Sequence, residues 1–98
     1  MAATAETAEL IFSRALESLQ QDGPYKGLAT FTADCIKFGI VDEKDVLFLP
    51  MVQIMKESRD LTAEKLVQFM AGFYFMPSGI RKFADRPAEA LSLPSLPR

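Results

Sequence analysis

The chain has 98 residues, room for one domain with one modest core, and its 13 acidic and 11 basic residues leave a net charge of −2. That balance withholds the basic face on which nucleic-acid binding depends, and it is too weak for a nucleic-acid mimic. The absence of histidine removes the commonest general base and metal ligand, while the single cysteine, Cys35, rules out an internal disulfide framework and favours a reducing compartment.

The first predicted helix spans residues 5–20, with Thr4 as N-cap and the acids Glu6 and Glu9 near its positive end. Ala5, Ala8, Phe12, Ala15 and Leu19 recur at spacings of three and four, and Ile11 and Leu16 widen the stripe to that of a core-facing helix. Asp22-Gly23-Pro24 stops it. A second helix is expected from Tyr25 or Gly27 to Phe38, with Leu28, Phe31, Cys35 and Phe38 on one face and Gly39 at the left-handed C′ position.

For a third helix, Asp42 is the expected cap, with Val41 and Val46 as a hydrophobic staple and Asp45 at N3. Pro50 falls inside the run Val46 to Met55, where the loss of a donor predicts a kink or two short helices meeting at Leu49–Pro50. A fourth helix repeats this grammar, with Thr62 as cap and Leu61 and Leu66 as staple, and is expected to run to Met76 before Pro77. The aromatic triplet Phe73-Tyr74-Phe75 favours a strand, but no second strand is available to pair with it. Ser78 is the expected cap of a short fifth helix over Gly79 to Ala84. Residues 87–98, with three prolines in or just ahead of a Ser/Leu tail, read as extended or disordered chain.

Chemistry is sparse. Cys35 lies between Phe31 and Phe38 on an apolar stripe, as a small core residue would, although Lys37 stands near enough to activate a thiolate. The acids Asp42, Glu43 and Asp45 depart from a calcium-binding loop, because Lys44 and Val46 occupy ligand positions, and suit a helix start. Ser78-Gly79-Ile80-Arg81-Lys82 lacks the flanking glycines of a phosphate loop. Pro94-Ser95-Leu96-Pro97 is a PxxP without the preceding base that such ligands use. No catalytic residue, metal site or cofactor is expected.

What the chain has in excess is apolar bulk. Apolar residues make up 49 %, including eight Phe and five Met, at the top of the usual range of about 45–50 %. The runs 46–55 and 66–76 are nearly continuous, yet each is about half the ~20 residues of a membrane span. A bundle of this size can wrap one such helix but hardly two. The expectation is therefore an all-α, compact bundle of four to five short helices over residues 1–86, followed by the tail. No leader pattern is visible, so a cytoplasmic protein is expected. Its expected role is a non-catalytic protein–protein interaction module (a homodimer, adaptor, regulator or small subunit) whose partner-binding residues are Phe69, Met70, Phe73, Tyr74 and Met51. The alternative is a helical carrier of an apolar small molecule such as a lipid.

Overall fold

The computed structural model describes residues 4–42 and 44–93, and among these every regular element is helical. The elements are α1 (Ala5–Asp22), α2 (Pro24–Lys37), α3 (Phe48–Glu57), α4 (Ala63–Ala71), α5 (Ser78–Arg81), a 3₁₀ turn (Lys82–Ala84) and α6 (Pro87–Leu91). Glu43 and the PxxP segment, residues 94–98, lie outside the described residues.

Thr4 caps α1 as expected, its hydroxyl accepting from the Thr7 N–H at 3.0 Å. A single residue, Gly23, separates α1 from α2; its φ of 98° is open to glycine, and Pro24 then supplies the fixed φ of a first helical position. At the far end of α2, Gly39 (φ 71°) forms a complete Schellman cap. Its N–H donates to the Ile36 carbonyl at 3.0 Å, and the Ile40 N–H to that of Cys35 at 3.0 Å.

α1 and α2 make the most extensive contact in the fold. Gly27 lets them close: a Cβ there would lie 2.8 Å from Leu19 Cβ and 2.8 Å from Leu66 Cδ2. α4 is the central helix, touching α1, α2, the 3₁₀ turn and α6, and it buries Leu66, Val67, Met70 and Ala71. Its start follows the expected grammar, with Lys65 N–H donating to Thr62 Oγ1 at 3.2 Å and both staple residues, Leu61 and Leu66, in the core.

Several expectations are corrected. The Val41–Val46 staple does not form, since Val41 is buried and Val46 exposed. α3 instead begins at Phe48, where Asp45 Oδ1 accepts from the N–H groups of Leu47 and Phe48, each at 2.8 Å. Pro50 therefore sits in the first turn, where a missing donor forfeits no helical hydrogen bond, and α3 is one helix rather than two.

The fourth helix stops at Ala71, five residues short of the expected Met76, and residues 72–76 form turns rather than a strand. Two tertiary demands override local propensity there. The Phe73 ring docks among Phe31, Phe48 and Phe69, and the Arg81 guanidinium donates to the carbonyls of Met76 and Tyr74 at 2.9 and 2.7 Å.

The chain is also helical where an extended tail was expected. Pro87 starts α6, and Ala90 is fully buried in the core. Ser78 makes no capping bond; it is the first residue of α5, and Pro77 stands at the cap position.

Candidate functional site

Because α4 takes the centre, α3 is left at the edge. It is anchored by Phe48 and Val52, with Phe48 4 % exposed and ringed by Phe31 and Phe73. The opposite flank keeps its apolar side chains in solvent. Leu47, Met51 and Ile54 follow one another at spacings of four and three, so about 100° per residue brings them onto one face. Leu47 is 71 % and Ile54 70 % exposed, and Val46 beside them is more exposed still.

This strip borders a groove of about 460 Å³ lined by Met51, Phe69, Gly72, Phe73 and Tyr74. Four of the five residues singled out from the sequence, Met51, Phe69, Phe73 and Tyr74, thus come together. The fifth, Met70, does not: it is fully buried, one position round α4 from Phe69, and belongs to the core. Phe69 and Phe73 are half-buried and stand edge to face, centroids 4.9 Å apart. Both rings also meet Phe31 in the core, at 6.0 and 5.5 Å. Tyr74, 73 % exposed, projects from the loop that Arg81 holds by its carbonyls.

Leu47 and Ile54 were missed by sequence reasoning, although both stand in the run 46–55. Their signal was the four-three spacing set against polar Gln53, Lys56 and Glu57, which the expectation of a broken helix at Pro50 obscured. On the far side of Ile54 a second groove, about 400 Å³, continues through Phe69 to Leu61, Lys65 and Asp60. Lys65 Nζ pairs with Asp60 Oδ2 at 2.8 Å, and Ser58 Oγ also bonds to Asp60; together they hold that carboxyl down to about 2. The apolar strip is therefore bounded by a polar margin, as an interface core is by its rim.

A separate groove of about 510 Å³ lies between α2 and α3, walled by Leu28, Ala29, Ala33 and Val52, with Tyr25 and Lys56 at its edge.

The remaining chemical candidates are occupied in the architecture. Cys35 is fully buried, and burial with the neighbouring Asp34 charge pushes its thiol up to about 12, far from a thiolate at neutral pH. Asp42 Oδ1 accepts from the Lys44 N–H, and Asp45 Oδ1 accepts from the Leu47 and Phe48 N–H groups at the start of α3; those two bonds hold the Asp45 carboxyl below its ordinary range. Of the basic pair near α5, Arg81 serves the 72–76 turns and Lys82 lies over the Phe83 ring, 5.2 Å from its centroid. No helix among the described residues is long and apolar enough to cross a membrane. Comparison with protein-family models, curated proteins and solved structures gives no match.

Proposed function

We propose that the chain is a non-catalytic protein–protein interaction module that binds through the outer flank of α3 and the adjoining groove of Phe69, Phe73 and Tyr74. The observation that carries this reading is the exposed Leu47–Met51–Ile54 strip. A helix at the edge of a small bundle needs only its inner face apolar, and this one is apolar on two faces. Met and aromatic residues are enriched where protein surfaces meet, and an adaptable Met suits a surface that must fit another.

A photo-crosslinking amino acid at position 54 tests the reading. Specific protein adducts at this position, absent when the same probe replaces exposed Glu6 on α1, support it; equal or no capture at both positions removes it. The carrier reading rests instead on the groove between α2 and α3, whose volume falls within the span of ligand sites, about 300–1,000 Å³. Native mass spectrometry separates the two, since a carrier retains small-molecule mass and an interaction module gains protein mass.

A further inference from the structure

We infer that the partner on this strip is a second copy of the chain, docked antiparallel along α3 about a two-fold axis passing between Pro50 and Met51. The inference rests on the interaction reading above and gives it a partner.

A two-fold interface is made by one patch meeting itself, so a residue that meets another across the axis is met by it in return. Leu47 and Ile54 are seven positions apart, nearly two turns, and share the strip with Met51 between them. Antiparallel docking sets Leu47 of each copy against Ile54 of the other, with the two Met51 side chains flanking the axis. The same register brings Lys44 of one copy to the end of α3 where Glu57 of the other stands, placing opposite charges at both edges. A parallel arrangement would set Lys44 on Lys44 and Glu57 on Glu57, so charge selects the antiparallel one.

The area agrees. Val46, Leu47, Ile54 and Tyr74 are 70–81 % exposed and Met51 is 44 % exposed. At about 100 Å² for each such side chain they offer at most ~500 Å² per copy, and two copies, if all of it is covered, just reach the ~1,000 Å² at which a specific interface begins. The dimer is accordingly reversible rather than obligate.

Sedimentation equilibrium of the full chain from about 1 µM to about 1 mM provides the test. The expected result is a monomer–dimer equilibrium. Leu47→Glu and Ile54→Lys each weaken it about tenfold or more, with circular dichroism unchanged because both positions are exposed; Ile54→Gln repeats the test without a new charge. Mixing the two charged variants restores association, since the register places the introduced carboxylate opposite the introduced ammonium. A wild type that stays monomeric throughout, an equilibrium indifferent to both positions, or variants that fail to pair when mixed would each overturn the inference. A monomer whose position-54 probe still captures a different protein keeps the interaction reading and loses the dimer. A monomer that captures nothing loses both.

Discussion

Arg14 Nε donates to Asp34 Oδ2 at 2.7 Å, joining α1 to α2, and the two partners live in different surroundings: the Arg14 side chain is 52 % exposed, that of Asp34 only 6 %. Removing one partner is therefore not equivalent to removing the other. Arg14→Ala strands a buried carboxylate, which costs on the order of 1–3 kcal/mol. Asp34→Ala frees a guanidinium that water can solvate, and the loss should be smaller. Denaturant melts of the two variants check the order; equal losses, or a larger one for Asp34→Ala, would contradict it.

Gly27→Ala sets two effects against each other. Alanine is the better helix former by about 1 kcal/mol. Its Cβ, however, would stand 2.8 Å from Leu19 Cβ, which belongs to a rigid helix rather than a flexible tip. Overpacking of this kind costs about 1–3 kcal/mol, so the variant should melt lower than the wild type. A higher melting temperature would mean that α1 and α2 separate easily.

Cys35 ties stability to alkaline pH. Its thiol is raised from an ordinary 9.0 to about 12, so between those values the unfolded chain has lost a proton that the folded chain keeps. The contribution is complete below about pH 9 and is lost as pH rises toward 12, at up to about 1.4 kcal/mol per pH unit. Cys35→Ala should cost on the order of 1 kcal/mol at neutral pH and flatten that alkaline slope. Labelling by iodoacetamide should require unfolding; rapid labelling of the native protein would contradict the buried thiol.

Two exposed carboxylates contribute to the acid limb. Asp45 is lowered by the N–H groups of Phe48 and Leu47, and Asp60 falls to about 2 through Lys65 and Ser58. Their contributions are present above the ordinary value of 3.8 and fade as pH falls through the lower folded values. Asp45→Ala should lower the melting temperature at pH 7 and shrink the loss on acidification, while Asp45→Asn keeps an oxygen to accept from the Leu47 and Phe48 N–H groups.

Met70 and Tyr74 separate core from surface. Met70→Ala should lose about 2–5 kcal/mol of folding stability without altering association per folded molecule. Tyr74→Ala should stay within about 0.5 kcal/mol of wild type in folding and weaken association. Light scattering alongside thermal melts reads both. The reverse pattern would place the strip elsewhere.

The signals legible in the sequence were local ones. Thr4, Thr62 and Gly39 announce helix ends because each acts within four residues of itself, and all three behave as read. Where a long-range contact decided the outcome, the same grammar misled. Nothing near residue 72 states that Phe73 will dock between Phe31 and Phe48, or that Arg81 will take the carbonyls of Tyr74 and Met76. The groove residues were recognisable by type; the separation of Met70 from Phe69 was not, because it depends on which face of α4 meets α2 and the 3₁₀ turn. Val46 shows the converse error, for a valine four residues after an acid looks the same whether it staples a helix or lies in solvent.

The one-residue link at Gly23 bears on the order in which the chain acquires its shape. With α1 and α2 joined so closely, their mutual contacts span little intervening chain and carry a small loop-closure cost, so they can form as soon as residue 37 is available. Residues 38–62 separate α2 from α4, and until α4 and the turns after it arrive the ring of Phe31 has no Phe69 or Phe73 to cover it. A nascent hairpin is thus expected early during synthesis, with a sticky aromatic face whose lifetime is set by the time ribosomes take to reach residue 73.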